Sequence, residues 1–171
     1  MRMVRAVAGS AIFLVAAPGV VAGLVPWWLT GWNARDPVPY GLPVRVGGLV
    51  VAAAGVAVLL HAFARFAVEG IGTPAPVAPT ERLVVGGVYR YVRNPMYLAV
   101  LAIIVGQAIA LGRPVLVPYA VLVGCAMGAF ARWYEEPALR RRFGAAYEVY
   151  RRAVPAWWPR RTPWEGDADH S

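Results

Sequence analysis

The chain of 171 residues has no lysine, one cysteine and only nine acidic side chains. A single cysteine excludes a disulfide framework and any CxxC metal or redox site. Cys125 lies in an apolar run with no activating base near it in sequence, so it reads as a small packing residue rather than a nucleophile. Charged residues make up 15% of the chain and hydrophobic ones 59%, with a mean hydropathy of +0.53. An ordinary soluble domain carries about 25% charged residues, so the solvated surface of such a domain is missing here. The net charge of +8 comes entirely from 17 arginines. They flank apolar runs instead of forming one basic face, which argues against nucleic acid as a partner and for membrane edges and a lipid bilayer.

In place of charge there are apolar runs of the length that crosses a bilayer, about 20 residues each. The fold class expected is an all-α integral membrane bundle in one domain, 1–159, followed by a polar tail, 160–171. Four transmembrane helices are expected, at about 4–29, 44–68, 95–111 and 115–134. The first run opens with Arg2 and Arg5 and could pass for a secretory signal, with Val21-Ala22-Gly23 as a loose cleavage pattern. Its length and the interfacial pair Trp27-Trp28 favour an uncleaved span. Pro37, Pro39 and Pro43 break the chain before the second run. That run carries His61, Arg65 and Glu69 four apart on one face. The strip either faces a cofactor cavity or is a helix end leaving the membrane, with Arg65 reaching for the surface. Residues 70–79 (GIGTPAPVAP) form a loop. Gly70-Ile71-Gly72 is no dinucleotide fingerprint, since no strand precedes it and no third glycine follows.

Asn94 and Pro95 suit the cap and first turn of the third helix. Gly112-Arg113-Pro114 suits a tight turn into the fourth, making a hairpin whose outer ends share one side. Arg35, Arg45 and Arg113 fall in one set of loops and the other 14 arginines on the opposite side. The asymmetry predicts cytoplasmic N- and C-termini and an inner-membrane, multi-pass protein. Beyond the last run, Leu139, Phe143, Tyr147, Tyr150 and Val154 recur at spacings of four and three, predicting an amphipathic helix over 137–154. Trp157, Trp158 and Trp164 suit the interface, and the acidic end from Glu165 is expected to be disordered.

Between the second and third runs lies a polar hinge, residues 86–97, with two glycines, two arginines, Asn94, Pro95 and three tyrosines. Such a segment is costly beside a membrane unless its polar groups are used. Its counterpart is Glu135-Glu136, where the last apolar run stops. Paired carboxylates accept hydrogen bonds from a diol or an amine. Tyrosine faces hold a sulfonium or ammonium, and a helix start favours a carboxylate. S-adenosylmethionine displays a diol, a sulfonium and a carboxylate together.

The segments GVYRYVRNPMYL, GQAIALGRP and EEPALRRRFGAAYEVYRRAVPAWWP, in that order over about 72–159, resemble the isoprenylcysteine carboxyl methyltransferase and phospholipid methyltransferase family of membrane enzymes. The resemblance implies in-line methyl transfer from S-adenosylmethionine to a lipophilic acceptor, or to a small thiol, carboxylate or amine, at the cytoplasmic face. Arg93, Asn94, Pro95 and Tyr97 fall on the family's R-(H/N)-P-x-Y motif, Glu135 and Glu136 on its paired glutamates. Phe143, Gly144, Tyr147 and Tyr150 fall on its FGxxYxxY tail. The cofactor-binding residues it implies are Tyr91, Arg93, Asn94, Pro95, Tyr97, Gln107, Glu135, Glu136 and Tyr147. Asn94 and Arg142 are the catalytic candidates, Arg142 for an anionic acceptor, and no metal is implied. Val88 stands where the family usually has proline, Ala99 where it has glycine, and Gln107 where many relatives have glutamate. Asn94 replaces the histidine of the isoprenylcysteine enzymes. The C-terminal half is also similar to NADPH-dependent membrane sterol reductases, and a non-catalytic membrane subunit of the same fold is the third reading. The all-arginine, Ala/Val/Gly-rich composition matches a high-GC bacterial source.

Overall fold

The structure, a computed structural model, describes residues 15–35, 41–69 and 83–166. Arg2, Arg5 and the start of the first run, Pro37, Pro39, the 70–79 loop and the acidic end from Asp167 lie outside the described residues, as does the side chain of Glu69. All regular structure among the described residues is helical. A π-helical stretch, Val15–Leu24, runs into α1 (Val25–Thr30); α2 is Gly41–Glu69 and α3 is Pro95–Leu111. α4 (Leu116–Phe130) continues through a second π-helical stretch, Ala131–Glu135, into α5 (Glu136–Ala153). The amphipathic helix expected over 137–154 is therefore found as a continuation of the fourth helix.

Both π stretches end two residues before a proline, Pro26 and Pro137. Proline donates no N–H and its ring crowds the carbonyl four residues back. The preceding turns escape into a wider, i+5 register. The carbonyls this frees must find other donors. Pro26 leaves Val21 and Ala22 without theirs in the π and α registers respectively. The Tyr119 hydroxyl donates to Val21 O at 2.7 Å and the Gln107 amide to Ala22 O at 2.7 Å. Trp32 Nε1 in turn donates to Gln107 Oε1 at 3.0 Å. Gln107 thus ties the first helix to α3.

Two helices are long and apolar enough to cross a membrane, Gly41–Arg65 within α2 and the continuous Leu116–Ala153; Ala16–Thr30 and Pro95–Leu111 are shorter apolar helices. Only 28% and 17% of the apolar windows of the two long helices are buried. Leu42, Leu49, Val50 and Leu60 on α2 and Val117, Val121 and Leu122 on α4 point outward. A core helix of a soluble domain would bury these side chains, whereas lipid solvates them. The protein is a membrane protein.

The bundle is built on the α2–α3 pair, which packs antiparallel backbone to backbone. A Cβ on Gly48 would sit 2.5 Å from Ala110 N, one on Gly55 2.8 Å from Ala99 O, and one on Gly106 2.5 Å from Ala52 N. Small residues at these crossings let the helices approach as lipid-embedded helices do, where packing replaces the hydrophobic drive. Leu59, Phe63, Val100, Ile104, Leu116 and Ala120 complete the buried core. At one end Gly112 caps α3 in the left-handed region (φ 61°), and Arg113 Nε donates to Asn33 O at 2.9 Å. The tight turn read from Gly112-Arg113-Pro114 is found there. The opposite end carries the hinge and the start of α5.

Candidate functional site

The hinge is not helical until Pro95. A 3-10 turn, Gly87–Arg90, opens it, and Gly87 has φ 58°. A side chain on Gly87 would lie 2.6 Å from His61 Nε2 and 2.8 Å from Arg65 Nε. His61 and Arg65 thus lie against the hinge, and neither lines the pocket described below. Asn94 holds the N-cap position of α3, but its side chain makes no capping bond, contrary to expectation. Its φ of −116° and ψ of 54° turn it elsewhere. It lines the pocket instead.

Four backbone bonds strap the chain after α5 onto the hinge. Arg93 N donates to Pro155 O (3.0 Å), Asn94 N to Ala156 O (3.3 Å), Arg160 N to Tyr91 O (2.9 Å) and Trp164 N to Arg90 O (3.0 Å). Arg90 Nε returns a bond to Trp164 O at 2.6 Å, and Tyr150 Oη donates to Tyr89 O at 2.7 Å. The tail as far as Trp164 is therefore docked. Gly144 makes this possible: its φ of 48° and ψ of −121° kink α5 in a conformation that suits glycine. Beyond the kink Tyr147, Tyr150 and Val154 form a small core with Leu83, Val85 and Trp164.

Arg93 is the centre of the site. Its Nε donates to Val154 O and its Nη1 to Glu136 Oε1 and to Tyr147 Oη, each at 3.0 Å. The side chains of Arg93 and Glu136 are 12% and 15% exposed, so this is a largely desolvated ion pair. Arg132 approaches Glu136 Oε2 at 3.7 Å from a 70% exposed position. Glu135 behaves differently. Its Oε1 accepts the Tyr97 hydroxyl at 2.6 Å, and the Tyr97 ring stacks on Trp157 with centroids 6.2 Å apart. Glu135 lies just past the apolar stretch that ends at Phe130.

These groups line a small cleft that is partly open to solvent. Arg93, Asn94, Glu135, Glu136 and Tyr147 provide its polar wall; Leu83, Val84, Ala131 and Leu139 provide an apolar one. Of the candidate site residues named from the sequence, these five polar ones line the pocket, and Tyr97 is bonded to one of them, Glu135. Pro95 is buried in the first turn of α3. Tyr91 is exposed and enters the site through its backbone carbonyl. Gln107 stands ten residues, about 15 Å, along α3 from Tyr97, at the other end of the bundle. Arg142 is exposed, its guanidinium 5.7 Å from the centroid of the neighbouring Phe143 ring, and does not line the pocket. Sequence reasoning missed Leu83, Val84 and Ala131 of the apolar wall, and the strap. The strap is made of main-chain groups common to every residue, so its pairing leaves no trace in residue type.

Residues 44–146, about three-fifths of the chain, match the family model described as phospholipid methyltransferase (PEMT). The match takes in nearly all of α2, upstream of the segments that carry the resemblance, and all of α3 and α4. No curated protein and no solved structure matches the chain.

Proposed function

The chain belongs to the phospholipid methyltransferase family, and on that premise we propose that it moves a methyl group from S-adenosylmethionine to a lipophilic acceptor at the cytoplasmic face of the inner membrane. The observation that carries this reading is the convergence of the R-N-P-x-Y hinge and the paired glutamates on one pocket. Positions 38 to 43 residues apart bond directly there, Tyr97 to Glu135 and Arg93 to Glu136. The donor set fits the methyl donor. The Asn94 amide, uncommitted to capping, can bond the methionyl group or the ribose. The first-turn N–H groups of α3 favour its carboxylate. Arg93 and Glu136 hold the walls of the pocket in register, and Tyr147 offers a ring edge and hydroxyl. The methyl donor supplies the activated carbon, so the protein's work is to position and desolvate the reactants. The apolar wall suits the hydrocarbon part of an acceptor arriving from the bilayer. On this reading the chain crosses the bilayer four times, and the arginine asymmetry supports both termini and the pocket on the cytoplasmic side.

Calorimetric titration of the protein in lipid nanodiscs with S-adenosylhomocysteine tests the reading. Saturable binding is expected, and Asn94→Ala should weaken it while leaving the fold intact, because that side chain holds no capping bond. Glu136→Ala should abolish it. Binding unchanged by both substitutions would remove the assignment, and tight NADPH binding in its place would turn the reading towards the reductases.

A further inference from the structure

The chain after α5 returns to the end of the bundle where the hinge lies. Trp157 stacks on Tyr97 in the first turn of α3, and a Cβ on Gly128, near the end of α4, would lie 4.0 Å from the Trp157 ring. The strap therefore sits at the level where the apolar stretch of α4 gives out. There, aromatic and basic side chains project outward. Trp133 is 79% exposed and Trp158 81%. The Arg132 side chain, one turn past Gly128 on about the same helix face, is 70% exposed, and Arg161 is exposed three residues beyond Trp158. Of the acidic groups described at this end, Glu135 and Glu136 line the pocket, Glu148 is held between Arg140 and Arg151, and Glu165 is exposed. The outward surface around the strap thus pairs tryptophan with arginine. Indole rings settle between hydrocarbon and headgroups, and guanidinium groups at that depth can take lipid phosphates bidentately.

We propose that the strap docks on an anionic lipid surface, with Trp133 and Trp158 in the interface and Arg132 and Arg161 on the headgroup phosphates, and that this docking sets the affinity of the pocket for its ligand. The link is the main chain. Pro155 O and Ala156 O, immediately before Trp157-Trp158, accept the N–H groups of Arg93 and Asn94, which line the pocket. Arg93 Nε also donates to Val154 O, at the start of the strap. Seating Trp158 and Arg161 in the interface keeps these carbonyls against the hinge, and a strap that lifts away releases Arg93 and Asn94. Lipid and pocket ligand favour the same docked strap, so each raises the affinity for the other by the same factor. Near an anionic surface each arginine contributes about five-fold, so two give up to ~25-fold. A zwitterionic leaflet holds the tryptophans but balances each phosphate with its own cation. The coupling to the pocket rests on the methyl-transfer reading above, whereas the lipid surface itself does not.

The test places wild type, Trp158→Ala, Arg161→Gln and the double variant Arg132→Gln/Arg161→Gln in two kinds of nanodisc, phosphatidylcholine alone or mixed equally with phosphatidylglycerol. Hydrogen exchange over residues 155–164 reads strap docking, and calorimetric titration reads S-adenosylhomocysteine affinity. In wild type the mixed discs should slow strap exchange and tighten binding, each by ~5–25-fold. Added salt should shrink both gains. Arg161→Gln should match wild type in phosphatidylcholine alone and lose about five-fold of the gain in mixed discs. The double variant should show no gain, and Trp158→Ala should exchange faster in both discs. Equal exchange and affinity in the two discs, or a gain that survives the double substitution, would overturn the proposal. So would the same gain from inorganic phosphate added to phosphatidylcholine discs, which would make this an ion site. A strap protected by anionic lipid in a protein that binds S-adenosylhomocysteine in neither disc would keep the lipid surface and remove the methyl-transfer reading.

Discussion

Replacing Arg93 with alanine should cost far more than removing a surface charge. An exposed ion pair contributes ~0–1 kcal/mol, but Arg93 and Glu136 are only 12% and 15% exposed. Truncation leaves Glu136 with Arg132 alone, at 3.7 Å and itself 70% exposed, and strands Val154 O and Tyr147 Oη. Breaking a buried pair by removing one partner costs about 3–5 kcal/mol. The lost carbonyl and phenol bonds are part of the same disruption and are not added to it. Arg93→Lys keeps the charge without the fork that serves three acceptors and should fall between wild type and alanine. Glu136→Gln keeps an acceptor for Nη1 at lower strength. A double-mutant cycle of Arg93→Ala with Glu136→Gln should show a coupling of ~0.5–3 kcal/mol. The assay is reversible unfolding of the purified protein in detergent, followed by tryptophan fluorescence. Hydrogen exchange over residues 153–164 reports release of the strap separately from global unfolding. A cost for Arg93→Ala below ~1 kcal/mol with unchanged protection of the strap would refute the view that this guanidinium joins hinge to tail.

Three further outcomes follow from the geometry. Gly144→Ala meets no atom within 4 Å, so its cost is backbone strain alone, about 1–3 kcal/mol by denaturant unfolding, with loosening of the docked tail. Gln107→Leu removes the donor to Ala22 O and the acceptor for Trp32; it should lower stability by ~1–3 kcal/mol and leave S-adenosylhomocysteine affinity unchanged. Tyr97→Phe removes the hydrogen bond to Glu135 Oε1 and should lower stability by ~1–3 kcal/mol in the same unfolding assay; an unchanged stability would show that this bond does not hold α3 to the start of α5.

Much of the helical frame was legible in the sequence. Pro95 and Gly112 bound α3 where their backbone chemistry puts a start and a stop, and the predicted span 95–111 coincides with the helix. The apolar runs are long enough for helices and too poor in charge for a solvated surface. The hinge and Glu135-Glu136 stood out because polar groups at the end of an apolar run need partners, and they are indeed bonded to each other. Asn94 was legible as an N-cap by residue type, but its backbone angles direct the side chain to the pocket.

By itself, the sequence determined that this is a helical membrane protein of a methyltransferase family with a polar rim at one end, because hydropathy, proline and glycine act locally along the chain. The tertiary structure decided how that rim is divided. It set Arg93 between Glu136, Tyr147 and the strap, left Tyr97 to Glu135, and carried Gln107 to the far end to serve a carbonyl freed by Pro26. Two adjacent glutamates are identical in sequence. What separates them is the distance to a guanidinium and the loss of water around each, and both depend on how the hinge and the tail fold over them.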